Sequence, residues 1–485
     1  MPHRHRPLFL TALFSTVLIW CASAPLSAAE GYYRWPSDHG DTLVFSAEGD
    51  LWRLDAGDTL AQRLTTHDEL ETQGMISRDG ERIAFVASFD GIEQIYVMPI
   101  TGGAPTQVTF ESVPVELAEW TPDGHILYTS RNMEGATRVR ELRLVDPDTT
   151  EIERIPLRYA STGTFADDGE TLFFTRHGVS TVSDNARLYR GGGMSQLWRF
   201  HLEDDDEAIR LAADFDGPIE NPMYWNGRVY FISDQSGYDN IWSLNPDGGD
   251  IRQHTRFSGW RLREASLRDG VIHYHRGADI YAYDIAANDE SMVEIALVSD
   301  RDRSRLRWID DPLSYLNAAN LGGDGEAVAI TARGRVTVAR ADEQRRVELP
   351  VGDTARARAA VAGANGDWVY AIVDQDERGE IWRFAADGSG TGEQLTFDAD
   401  DHRWRLTPSP DGRWLIHDDK SQRLWKLDLE SGDNSLIMQA ESSRDDVYSG
   451  FSFSADGRYM AFNMPGDRED SRAIAVHDFT TGDTT

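Results

Sequence analysis

The sequence predicts an all-β protein built from β-propeller blades in tandem rings. Three observations predict it. A strand–turn–strand unit recurs along nearly the whole chain, an acidic or Asn residue followed by Gly marks the same turn in many copies, and no amphipathic helical stretch separates the units. Strands without intervening helices argue against an α/β fold.

The chain begins with an export signal. His3, Arg4, His5 and Arg6 form a basic segment, residues 8–24 are mostly apolar, and Ser27-Ala28-Ala29 offers a small-x-small cleavage site. Residues 1–29 are therefore expected to be removed, leaving a mature chain that starts at Glu30. The alternatives are an uncleaved anchor, for which the apolar run is short, and a lipoprotein at Cys21, for which Trp20 is the wrong neighbour. Cys21 is the one cysteine, so the mature chain is expected to contain neither disulfides nor thiol chemistry.

The repeat follows. Ser77-Arg78-Asp79-Gly80 leads into Arg82-Ile83-Ala84-Phe85-Val86, then Gln94-Ile95-Tyr96-Val97-Met98, then Thr106-Gln107-Val108-Thr109. Trp120-Thr121-Pro122-Asp123-Gly124, Phe165-Ala166-Asp167-Asp168-Gly169, Trp225-Asn226-Gly227, Pro410-Asp411-Gly412 and Ala455-Asp456-Gly457 open the same pattern elsewhere. Asp-Gly supplies the positive φ of a tight turn. Period-two alternation aims each strand's apolar side chains at neighbouring blades. A single blade cannot cover both its faces, so the array must close. The spacing, about 30 to 45 residues, suits four-stranded blades.

Six units are expected over residues 30–295, near Thr42, Met75, Glu119, Phe165, Met223 and Ser266. Residues 296–316 read as a linker, with Arg301, Arg303, Arg305 and Arg307 among acids and then Asp310-Asp311-Pro312. Four further units, near Asn317, Ala359, Leu406 and Phe451, fill residues 317–485. Four blades seldom close a ring, so the second propeller reads as truncated.

Composition narrows the function. The 485 residues hold 82 acidic and 48 basic side chains, a formal charge of -34, and Lys420 and Lys426 are the only lysines. Such a surface repels nucleic acid and anionic lipid, so neither is expected as a partner once the signal is cleaved.

The Gly102-Gly103-Ala104-Pro105-Thr106-Gln107-Val108-Thr109 and Gly392-Glu393-Gln394-Leu395-Thr396 steps, with the Ile-Tyr-Val and Leu-Trp strands before such turns, resemble the TolB/tricorn class of propellers. Six blades followed by a second propeller, and the opening Gly31-Tyr32-Tyr33-Arg34-Trp35-Pro36 through Asp50-Leu51-Trp52, resemble the N-terminal part of the tricorn protease family. The resemblance covers residues 30–485. It implies a six-bladed and a seven-bladed ring ahead of a PDZ domain and an S41-type serine-peptidase domain, peptide or unfolded-protein substrates, and a homo-oligomer. This chain departs from the family in two ways: the catalytic part is missing and an export signal is present. The expected location is the periplasm or the exterior, against a cytoplasmic family archetype. A TolB-like binding propeller without catalysis, and the propeller of a prolyl-oligopeptidase-like enzyme, are the alternatives.

No catalytic residues are expected in this chain, because it has no Gly-x-Ser-x-Gly elbow and no histidine beside a convincing nucleophile. No cofactor or metal is expected either. His273 and His275 share one strand face without a third ligand, Glu203-Asp204-Asp205-Asp206-Glu207 lacks EF-hand spacing, and Gly191-Gly192-Gly193 is not followed by Lys-Ser/Thr. One basic group stands out: Arg131, Arg138 and Arg140. The family resemblance implies an arginine pair in the first ring that holds a peptide's C-terminal carboxylate. Arg138 and Arg140 would share a strand face, and a guanidinium fork suits a carboxylate. Ion pairs with Glu134 and Glu141 are the bland alternative.

Overall fold

The computed structural model describes residues 31–131, 140–177, 190, 193–203, 207–299, 308–323, 325–340, 346–375, 379–440, 447–466 and 471–485. Residues 1–29, read from sequence as a signal, and Arg138 lie outside the described residues, as do residues 300–307 of the segment read as a linker.

Among the described residues each sheet is an antiparallel meander, the first extended by one short parallel strand, and the sheets come in two sets, tandem β-propeller arrays as the sequence predicts. The innermost strands of the first six blades are Arg34–His39, Glu71–Ile76, Val115–Trp120, Ala160–Phe165, Glu220–Trp225 and Leu262–Arg268. Those of the next four are Leu316–Leu321, Arg356–Ala362, Arg403–Pro408 and Ser449–Phe453. The only helical element among the described residues is the 3-10 turn Pro312–Tyr315 between the two sets.

Alternation explains the packing. In the second blade, Ile83, Phe85 and Ala87 join Val44 and Leu51 of the first blade, whereas Ala84 and Val86 join Val115 and Ile126 of the third. The same logic yields six inter-blade cores for six blades, the last linking Phe45 and Trp52 of blade one to Ile280 of blade six. The first set is thus a closed ring. The four later blades share three cores, so the second set is an open arc. Its end blades show apolar side chains to solvent: Leu321 is 64% exposed and Ile474 is 74% exposed.

The ring is closed by backbone as well. Ala296–Leu297 pairs in parallel with Leu60–Arg63 on the rim of blade one, with Ala296 N–H donating to Thr59 O at 2.7 Å. These two residues head the segment read as a linker. A two-residue strand leaves no periodic trace in sequence. The first blade also starts one strand earlier than Thr42, with Arg34–His39, whose Pro36 and charged ends hide any alternation.

All ten innermost strands carry a β-bulge in their pairing with the second strand. At several of these bulges a non-glycine residue takes positive φ: Trp35, Gln73, Asn221, Glu264 and Ala359. A bulge bends the strand and re-aims side chains. Here it lets one blade reach the next around the axis. Leu117 N–H donates to Gln73 Oε1 at 2.7 Å, Asn221 Nδ2 donates to Ala265 O at 2.8 Å, and Trp35 N–H donates to Glu264 Oε2 at 3.2 Å.

Phe173 is fully buried and Phe397 is 77% exposed. Phe173→Ala is expected to cost about 3–5 kcal/mol of unfolding free energy and Phe397→Ala less than about 0.5 kcal/mol, read by chemical denaturation. Equal costs would contradict the core assignment.

Candidate functional site

The innermost strands of the closed ring enclose an axial channel with two contiguous chambers that share Ser37, Met75 and Ser266. The larger, about 540 Å³, lies where the inner strands begin. The smaller, about 240 Å³, lies where they end.

The larger chamber is lined by paired charges. Arg34 reaches Glu264 at 2.5 Å and Arg140 reaches Glu116 at 2.5 Å. Arg261 donates to Asp239 at 2.7 Å and lies 3.5 Å from Glu220. Burial works against the Arg261 charge, but Asp239 and Glu220 outweigh it and push its pKa up. Burial likewise works against ionised Glu264, yet hydrogen bonds from His275 and Arg34 hold its carboxyl below the usual range. The wall therefore presents fixed dipoles of both signs. Such a surface can hydrogen-bond a passing polypeptide backbone without committing to one side chain.

The smaller chamber is lined by Asp38, Arg78, Glu119 and Arg268. His273 Nδ1 lies 2.9 Å from Asp38, and Arg78 Nε donates to Trp120 O at 3.0 Å. Glu119 accepts from Phe165 N–H at 2.5 Å and from Thr164 Oγ1 at 2.8 Å. Burial dominates and pushes the Glu119 pKa up to about 7, outweighing Arg78 and those two hydrogen bonds.

Lys420, in the turn after Trp414–Asp419, is 7% exposed, and its Nζ has no hydrogen-bond partner among the described residues. Burial drives its pKa down to about 7; Asp401 and the ring's Asp234 resist this, and Arg261 and Arg190 add to it.

Of the three arginines singled out in sequence, the structure brings two together. Arg131 and Arg140 face each other across a hairpin at the ends of Ile126–Arg131 and Arg140–Val145. Arg140 lines the chamber, bonded to Glu116 rather than to Glu141, while Arg131 is exposed and Glu134 lies outside the described residues. Glu141 is instead 3.6 Å from Arg143. His273 and His275 each face their own carboxylate, Asp38 and Glu264. Among the described residues no group of three or more His, Cys, Asp or Glu side chains is placed to hold a metal. Gly191 and Gly192 lie outside the described residues, as do Asp204 to Asp206. Sequence reasoning missed Arg34, Arg261, Arg263 and Glu119. A signal existed for one pair: Arg261-Leu262-Arg263 repeats the Arg-x-Arg spacing of Arg138 and Arg140.

Comparison with known proteins adds the following. The profile of the tricorn protease N-terminal β-propeller domain matches residues 30–289. Tricorn protease homolog 1 of Streptomyces coelicolor is 26% identical over 452 residues, covering 90% of this chain and 41% of that protein. The tricorn protease homolog of Saccharolobus solfataricus is 25% identical over 439 residues, covering 90% of this chain and 39% of its own length. A crystal structure of the tricorn protease aligns at a TM-score of 0.49 and 20% identity, over 94% of this chain and 44% of that one. The chain spans about two fifths of the length of these curated relatives.

Glu119 sets a pH dependence. Its folded pKa of about 7 stands above the ordinary 4.5, so folding takes up a proton between those values and stability falls as pH rises through that window. Glu119→Gln removes this penalty, and its amide can still accept from Phe165 N–H while donating to Thr164. The variant's advantage over wild type is expected to grow from near zero at pH 4.5 to about 1–3 kcal/mol at pH 8, measured by urea unfolding. A pH-independent difference would show that Glu119 ionises normally.

Proposed function

The chain belongs to the tricorn protease family, and on that premise we propose that it is the propeller region of an exported, S41-type serine peptidase, gating and channelling unfolded peptides to a catalytic domain encoded beyond these residues. The observation that carries the proposal is the axial channel of the closed ring, whose larger chamber is walled by charge pairs and bulged backbone. On this reading the channel would pass an extended chain and exclude folded domains. The coverage of about two fifths of the relatives leaves room for a catalytic part elsewhere in the whole protein.

Two further parts belong to this reading. The apolar end faces of the arc would be covered by further blades of the second propeller, and the assembled protein would be a homo-oligomer in the periplasm or outside the cell. Arg140, with Arg131 opposite it and Arg138 in the connecting segment, would hold the C-terminal carboxylate of a peptide. Glu116 keeps the Arg140 guanidinium extended into the chamber until a ligand carboxylate competes for it.

The test compares the gene's full-length product with residues 30–485 on unstructured peptides. Cleavage by the long form, with binding alone by the shorter one, is expected. Binding without cleavage by both would make the protein a capture module. Arg140→Gln is expected to weaken binding of a free-C-terminus peptide about tenfold, read by fluorescence anisotropy, and to leave its amidated twin unchanged. Equal loss for both peptides would remove Arg140 as the anchor.

A further inference from the structure

In a chain with 34 excess negative charges, one groove runs the other way. It lies at the base of the second set, between its first two blades, and has a volume of about 460 Å³. Arg333, Arg335 and Arg356 line it together with Tyr315, and Asp353 is the one carboxylate on its wall among the described residues. Arg335 is partly satisfied, with Nη1 donating to Val351 O at 2.9 Å and Nη2 lying 3.5 Å from Asp353. Arg333 and Arg356 are exposed and make no ion pair or hydrogen bond with another described residue. Arg333 is held over the Tyr315 ring at 4.9 Å.

The backbone makes the arrangement costly to keep. Arg333 and Gly334 form the two-residue connection between Ala327–Ala332 and Arg335–Arg340, with φ of 51° and 76°. A turn with both residues at positive φ favours Asn-Gly or Asp-Gly, because a bulky side chain is strained there. The chain uses those residues in the same turn at Asn226-Gly227 and Asp269-Gly270, and a longer charged side chain at Glu48-Gly49 and Arg333-Gly334. At Arg333 it accepts the strain and places a third guanidinium beside two others. The turn also lies against Arg356: a Cβ on Gly334 would sit 3.0 Å from Arg356 Cγ, so a larger residue there would push that stem aside. The positive potential extends inward. The His402 pKa is driven down to about 3, first by burial and then by Arg358, Lys420 and Arg356.

We propose that this groove is an oxyanion-binding site, in which Arg333 and Arg356 close on a carboxylate or phosphate group and Arg335 supports them from the floor. The planar forks supply parallel N–H donors, and the acidic surroundings confine the attraction to this groove. The site stands independently of the peptidase reading, since a small anion alone tests it.

The experiment is titration calorimetry of residues 30–485 at low and high salt. The probes are inorganic phosphate and an acidic hexapeptide with a free or an amidated C-terminus. Arg333→Asn is the informative variant, because asparagine suits the turn and should hold or raise the melting temperature while removing the cation. Wild type is expected to bind, with affinity falling as salt rises. Arg333→Asn/Arg356→Gln is expected to bind at least tenfold more weakly. Phosphate binding alone would identify a small-ion site. A preference for the free C-terminus would identify a terminal carboxylate, and equal binding of the amidated peptide would identify acidic side chains; each of these, if lost in the double variant, supports the proposal. Absence of binding by all three probes, or unchanged affinity in the double variant, overturns it.

Discussion

A propeller blade is apolar on both faces, and water must be kept from both. This constraint decides the architecture. In the first six blades each strand alternates its side chains between two neighbours, so a sheet such as that around Arg82–Ala87 is stable only between two others. The chain meets the demand by bringing blade six back to blade one, where Ile280 packs with Phe45 and Trp52 and the short strand Ala296–Leu297 adds to the rim. In the second set the demand is met inside the arc and not at its ends, which is why Leu321 and Ile474 face solvent.

Closure has a chemical consequence on the axis. Six innermost strands must converge without colliding, and each is bulged where it does so. The bulges free side chains and amides to bond to the next blade, as Gln73 does with Leu117 and Glu119 with Phe165. The same geometry lines the channel with polar groups that are paired rather than bare. Buried charge of this kind is weak as a source of stability, and Glu119, kept near neutrality by burial, shows its cost. Its value lies in a wall that is rigid, wettable and tolerant of many side chains.

The blades were legible in the sequence because their signal is local. Asp79-Gly80, Asp123-Gly124 and Asp168-Gly169 mark turns whose glycines do take positive φ, and the units expected near Met75, Glu119, Phe165 and Met223 fall on innermost strands. The first inner strand was not legible, since Arg34–His39 shows no alternation, nor was the closing strand, whose partner is more than two hundred residues away. The site was read less well for the same reason. Arg140 was singled out by its spacing to Arg138, but its actual partner is Glu116, and the equivalent spacing of Arg261 and Arg263 attracted no notice. Which arginine reaches the axis depends on where a bulge re-aims the strand, and which carboxylate meets it depends on a neighbouring strand or blade. Neither is written in local periodicity.

The most direct test of ring closure is native-state hydrogen exchange at the closing strand. The amides of Ala296 and Val298 bond to Thr59 and Ala61 on the first blade. If closure is the condition on which the six blades depend, these amides exchange only with the global opening that also releases the blade cores, and with the same free energy. If they exchange by local fraying while the amides of Phe173 and Phe231 stay protected, the ring holds without its closing strand and the account is wrong.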